Sequence, residues 1–405
     1  MTAETGSRKD DLLHQIALAR QQRLRDSMRA LGIPAVLVLD PVNILYATGA
    51  SNMTLFSTRV AARYLLLFAE GPSILFEYFG CEHLAEGLPT LDSVRPARGL
   101  CHVSSGGDSE SQARALVADI MAAIGDSGLS VDTLAIDRFP FVAVDALRAG
   151  GFGLEDADAV FSQARRVKLP GEIVLMREAV DRVVAASQKM AGQILPGRSE
   201  IEIWSDFIAP FIADEGRYVT TRLVQGGPRS FPYFQEAGSR PLHSGELLCF
   251  DTDAVGYAGY CVDFSRSYLC GDTAPSQDQL RLHALAREQL EHNIELVRPG
   301  ASYAEIAAAA WPVPEAHQDS RYYCVGHALG MSGEVPNIPH WRPGEPYPLD
   351  GELEAGMVFC VESYIGSART RQGIKLEEQL LITDTGVERL SAAAPFDARL
   401  ETATG

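Results

Sequence analysis

One local pattern occurs twice in this chain, and it restricts the fold more than any other feature. A helical stripe of Ile173, Met176, Val180, Val183, Met190 and Ile194 runs to Leu195-Pro196-Gly197. Ser199 and Glu202 then have the spacing of a capping box, ahead of a new helix carrying Ile203, Trp204, Phe207 and Ile208. About a hundred residues later the pattern returns. A stripe of Leu282, Ala286, Leu290, Ile294 and Val297 runs to Arg298-Pro299-Gly300, Ser302 and Glu305 repeat the box, and Ile306 follows. Each copy leads into strand-like apolar segments that carry acids, 247–269 in the first and 358–382 in the second. The recurrence predicts a duplicated α/β unit whose stacked copies bring their acidic strands into one cleft.

The preceding residues have a different organisation. Helical spacing over 9–31 is followed by an apolar run at 35–40 closed by Pro41. Tyr64–Phe68 and Ser73–Phe76 flank Glu70-Gly71-Pro72, a strand–turn–strand signal. A polar loop at 104–111, a helix near 112–125 and a strand at 134–137 complete an alternating pattern. Residues 1–160 therefore read as an α/β domain with a mixed sheet, and 161–405 as the duplicated domain, giving an α+β chain.

The 405 residues are 46% apolar, enough for large cores. Acids exceed bases by 53 to 35, a net charge of −18, which disfavours nucleic acid and anionic membranes as partners. There is no apolar run long enough for a membrane span and no signal-like segment at the start. The seven cysteines are scattered and never spaced Cys-x-x-Cys, which fits reduced thiols. The expectation is a soluble cytoplasmic protein.

The acids interrupt apolar strands, where charge is costly. Leu247-Leu-Cys-Phe-Asp251-Thr-Asp253 ends in two acids at i and i+2, which in a strand share a face. Tyr260–Tyr268 reads as a returning strand, so a hairpin would carry Asp263 to Asp251 or Asp253. Glu362 ends Val358-Phe-Cys-Val, Glu377 and Glu378 follow Gly373-Ile-Lys-Leu, and His327 sits in Val325-Gly-His-Ala. Singly, each has a bland explanation as a solvated turn or a satisfied core histidine. As a set, one imidazole with four or five carboxylates suits a pair of divalent cations, because acids this close cannot all stay ionised without neutralisation.

On these residues the sequence resembles a known superfamily. Arg-x-x-Lys-x-x-x-Glu-Ile ending at Ile173, an Asp before Asp263-x-Ser265-Arg266, Gly326-His327, a strand glutamate and Gly373-x-x-x-Glu377 are similar to the pita-bread metalloenzymes, which include aminopeptidase P, prolidase and creatinase. Asp40-Pro41-x-Asn43-x-x-Tyr46-x-x-Gly49 is similar to their N-terminal part. The resemblance implies Asp263, His327, Glu362 and Glu377 as metal ligands and a creatinase-like N-terminal domain. It also implies a homodimer, with Ser51–Phe56 as a candidate contact. The departures matter. Where the peptidases have a single acid this chain has Thr252, flanked by Asp251 and Asp253. Two peptidase histidines are replaced by residues around Pro232-Tyr233-Phe234-Gln235 and Gly333-Glu334.

The Asp-Thr-Asp doublet, Phe234-Gln235-Glu236, Val361–Gly366 and Cys81-Glu-His-Leu84 look like the dimethylsulfoniopropionate lyase subgroup of that superfamily. That resemblance implies Asp251 and Asp253 as further ligands and two divalent ions, iron first, with manganese, zinc or cobalt as alternatives. It also places Tyr322 at the substrate. The subgroup's proposed base is an Asp six residues past the histidine, and here that position is Gly333. Glu334 is the nearest surviving acid. The expected function is a metal-dependent lyase that eliminates dimethyl sulfide from a small zwitterionic carboxylate, with Tyr322 and Glu334 as catalytic candidates. Tyr233, Phe234 and Tyr322 would supply a cation–π wall. The alternative is a creatinase-like hydrolase of a small C–N bond, with an Xaa-Pro peptidase ranked below it.

Overall fold

The computed structural model describes residues 2–341 and 350–401, with side chains from Lys9 onward. It divides into two compact units, Met1–Arg165 and Arg166–Gly405.

The first unit is built on a six-stranded mixed sheet. Its spatial order is Ser93–Pro96, Ser73–Glu77, Tyr64–Phe68, Ala35–Val38, Thr133–Ile136 and Gly153–Asp156. The three strands from 35 to 77 pair antiparallel in the middle, and parallel pairings extend both edges. Those central strands are buried along their whole length, which is why they read as unbroken apolar runs. Helices Thr2–Leu31, Ser109–Ser127, Phe141–Ala149 and Asp158–Arg165 belong to the same unit.

The Asp40…Gly49 motif has a structural explanation. Pro41 opens the helix Pro41–Thr48, and the Asp40 carboxylate caps it by accepting the Val42 and Asn43 amides. Tyr46 donates its hydroxyl to Ala164 O at 3.0 Å. Gly49 closes the helix at φ 76°, a left-handed conformation that favours glycine.

The second unit shows the repeat directly. Helices Pro170–Ala191 and Gln277–Leu296 each precede a capped helix, Glu200–Ala213 and Tyr303–Ala309. Ser199 and Ser302 both close reciprocal capping boxes with Glu202 and Glu305. The same two serines each form an isolated antiparallel bridge, to Pro241 and to Glu352. Each half then supplies an antiparallel pair. Leu247–Asp251 pairs with Ser265–Leu269, and Val358–Ser367 with Gln372–Thr383.

The halves join largely through side chains. Ser267 Oγ donates to Lys375 O at 2.9 Å and accepts from Lys375 N at 3.0 Å. Gly373 N donates to Ser230 Oγ, and Arg266 Nη1 to Glu377 O. At Gly373 a Cβ would come within 2.4 Å of the Tyr364 hydroxyl, so only glycine fits. Among the described residues, no helix is long and apolar enough to cross a membrane.

Candidate metal centre

Asp251 is the last residue of its strand and is buried. The returning chain breaks between Cys261–Val262 and Ser265–Leu269, and Asp263 lies in that break. Its amide is held by Gln379 Oε1 at 3.0 Å. His327 sits in Cys324–Leu329, next to Gly326, where a Cβ would stand 2.3 Å from Cys360 O. The glycine thus lets the histidine strand lie against its neighbour. Glu362 and Glu377 face each other directly across the long pair.

These side chains converge. His327 Nε2 lies 3.3 Å from Glu362 Oε1 and 3.8 Å from both Asp263 Oδ2 and Glu377 Oε1. Asp251, Asp263 and Glu377 each offer an oxygen, all within 4.8 Å of one another. Asp251 Oδ1, Asp263 Oδ1 and Glu377 Oε1 are buried and accept no hydrogen bond. Three converging anionic oxygens without donors are costly unless a cation or protons neutralise them. An oxygen-rich set with one imidazole fits divalent ions of the magnesium-to-zinc range.

The proton affinities carry the same information. Burial, and then the charge of Asp251, push the Asp253 carboxyl up to about 7. Burial and neighbouring acids, Glu377 foremost, raise Asp263 well above the carboxylate range. Burial and Glu362 do the same to Glu377. Asp251 goes the other way. Burial opposes its ionisation, but Lys375 and the Ser265 and Tyr233 hydroxyls hold it low. Burial acts to lower His327, yet its hydrogen bond and attraction to Glu362 raise it.

At the inner end lies a fully buried ammonium. Lys375 Nζ donates to Ser265 Oγ at 2.7 Å and Glu377 Oε2 at 3.1 Å, lies 3.6 Å from Asp251 Oδ2, and pairs with Glu362 Oε2. It therefore holds one oxygen of each of three carboxylates and leaves each acid's other oxygen to the cluster. Tyr233 donates its hydroxyl to Asp251 Oδ2 at 2.8 Å.

Aromatic rings continue outward. Lys375 Nζ is 4.8 Å from the centre of the Tyr322 ring and 5.7 Å from that of Tyr233. Phe234 stacks on Tyr322 at 5.3 Å, and Tyr323 meets both. Tyr233 and Tyr322 are buried, whereas Phe234 and Tyr323 are about half exposed, so the wall runs from the ammonium to solvent.

Comparison with known proteins identifies this architecture. The model of metallopeptidase family M24 matches residues 174–384, and that of the creatinase/prolidase N-terminal domain matches 20–167. The chain belongs to metallopeptidase family M24. The dimethylsulfoniopropionate lyase DddP of Roseovarius nubinhibens is 34% identical over 94% of this chain and 86% of its own. The enzyme of that name from Roseobacter denitrificans is 33% identical over the same shares. An Xaa-Pro dipeptidase from Bacillus anthracis shares the fold with a TM-score of 0.76 over 94% of this chain and 99% of its own, at 19% identity.

Within this M24 chain, Asp251, Asp263, His327, Glu362 and Glu377 lie in one cluster, as does Lys375. The Asp251/Asp253 doublet differs from expectation. The strand stops at Asp251, and Asp253 turns with φ 40°, so the two acids do not share a strand face. Asp253 instead turns its carboxylate toward Thr221, whose Oγ1 donates to its Oδ2, and feels the charge of Asp251. Glu334 also differs. Its carboxylate is locked in a buried ion pair with Lys168, so it is poorly placed to accept a substrate proton. Gly333 has open space where a side chain would stand. Glu378 points to the opposite face, into a buried pair with Arg266 at 2.9 Å. Sequence reasoning missed Lys375, although strand alternation from Glu377 puts residue 375 on the same face.

Proposed function

We propose that this M24-family metalloenzyme is a lyase for small zwitterionic carboxylates, with dimethylsulfoniopropionate as the type substrate. One observation carries the proposal: a buried carboxylate–histidine cluster continues directly into an aromatic wall. A carboxylate and a sulfonium on one short molecule match those two surfaces. The similarity to DddP over most of the chain supports the same reading.

Asp251, Asp253, Asp263, His327, Glu362 and Glu377 would hold two divalent ions, iron first. Ions bound there would supply Lewis acidity toward the substrate carboxylate, acidifying its α-proton. Tyr233, Phe234 and Tyr322 orient the sulfonium. Tyr322, as phenolate, takes the α-proton at its Oη. The C–H electron pair becomes the alkene bond, the C–S bond breaks, and neutral dimethyl sulfide leaves with acrylate. Burial pushes the Tyr322 phenol up, followed by Glu362, while Lys375 pulls it down. Neutralising the acids would remove their share and leave burial opposed by the pull of Lys375.

Purified protein loaded with Fe2+, Mn2+, Co2+ or Zn2+ is incubated with dimethylsulfoniopropionate, and headspace sulfide and acrylate are measured. Equimolar products above the protein-free control are expected. Metal-loaded protein that releases neither overturns the lyase reading. A creatinase-like hydrolase of a small C–N bond is the second reading, favoured by the glycine at 333 and the locked Glu334. Release of an amine from creatine-like substrates would support it.

A further inference from the structure

One buried thiol shares the cluster and has no part in the function proposed above. Cys360 stands two residues before Glu362 on the same strand, so both side chains share a face. In the ladder it lies opposite His327 on one neighbour and opposite Gln379 on the other. Its Sγ, a ring nitrogen of His327 and an oxygen of Glu377 all lie within 4.8 Å of one another. Glu377 is fully buried, and its Oε1, which accepts no hydrogen bond, points at His327 Nε2 from 3.8 Å. The thiol's own hydrogen bond is long, 3.6 Å to Asp263 O. Packing alone explains a buried cysteine in many cores. It does not explain three facing donors of different elements, one of them an anionic oxygen without a partner.

We propose that Cys360 Sγ is a ligand atom of the metal centre, completing an N/O/S set with His327 and Glu377 on the side where Glu377 presents Oε1. This rests on the metal-centre reading and adds a donor to it. On binding, the S–H bond breaks, the proton leaves to solvent and the S–metal bond forms, with no change of oxidation state. Five carboxylates and one thiolate, against Lys375 and two divalent ions, then leave one net negative charge beside the aromatic wall. The two subsites differ in kind. The Asp251, Asp263 and Glu377 set is all oxygen, whereas the thiolate set selects Fe2+, Co2+ and Zn2+ over Mg2+, Ca2+ and Mn2+.

The test uses the full chain under anaerobic conditions. Wild type, Cys360→Ser and Cys324→Ser are titrated with Co2+, bound cobalt is counted by atomic emission, and absorption spectra are recorded. Wild type is expected to show a near-ultraviolet thiolate-to-cobalt charge-transfer band alongside visible ligand-field bands. Cys360→Ser should keep cobalt and lose that band. Cys324→Ser, whose thiol packs with Tyr233, Tyr322 and Tyr364, should keep it. Zinc-edge X-ray absorption of wild type needs no variant to fold, and a sulfur scatterer at about 2.3 Å is expected. Bound metal with only nitrogen and oxygen scatterers, or a charge-transfer band that survives in Cys360→Ser, overturns the assignment of Cys360 and leaves the centre standing. Wild type that retains no cobalt overturns both.

Discussion

Lys375 is the single side chain on which the electrostatics of the cluster turn. It is buried among Asp251, Glu362 and Glu377, and burial disfavours its charge, yet those acids keep it an ammonium well above its ordinary range. Removing one partner of a buried ion cluster leaves uncompensated charge. Lys375→Met should therefore destabilise chelator-treated protein by roughly 3–5 kcal/mol, read by urea unfolding, and added divalent ions should restore much of the loss. Asp253, displaced up to about 7, keeps its proton in the folded state where the unfolded chain has lost it. The unfolded state then binds fewer protons, so stability falls as pH rises from about 4 to 7. Asp263 and Glu377 act in the same sense, as does His327, whose raised pKa gives stability that is lost as pH rises through it. Chelator-treated protein should thus melt lower at about pH 7.5 than at about pH 5, on either side of the shifted groups. Divalent ions should flatten the slope and release protons on binding, measurable in weakly buffered solution.

At the scale of strands and turns, the apolar runs were legible because both faces of those strands are covered. The acids at 362 and 377 were legible because they interrupt such runs. The turn at Asp253 was not, since alternation assumes an unbroken strand and nothing in Asp-Thr-Asp announces a left-handed residue. The ion pair of Lys168 with Glu334 was equally hidden, because it joins positions 166 residues apart. The strand Gly333–Pro339 offers a direct test. A Cβ at Gly333 meets nothing within 4 Å, and the residue has no positive φ, so Gly333→Asp should fold. If a base at this position is what the chain lacks, the variant should gain roughly 100-fold in sulfide release. An unchanged rate in folded, metal-loaded variant would count against that role. Gly326→Ala should be costly instead, by about 1–3 kcal/mol, because its methyl would meet Cys360 O.

For the whole molecule, the duplication was readable from two Pro-Gly stops and two Ser-x-x-Glu boxes, all of which are helix punctuation with local physical causes. The seam between the halves was not readable, because it depends on Ser230, Ser267 and Arg266 reaching the other half's backbone. The segment expected at a dimer contact leaves Met53, Leu55 and Phe56 each at least half exposed. Light scattering should give twice the chain mass, and Phe56→Asp should shift the protein toward monomer. Asp251, Asp253 and Asp263 come from the first half, whereas His327, Glu362 and Glu377 come from the second, so neither copy alone owns a complete chelate. Any ion at the centre is a clasp between two homologous pieces. A chain severed in the segment between them should behave as two fragments that complement each other only when metal is supplied.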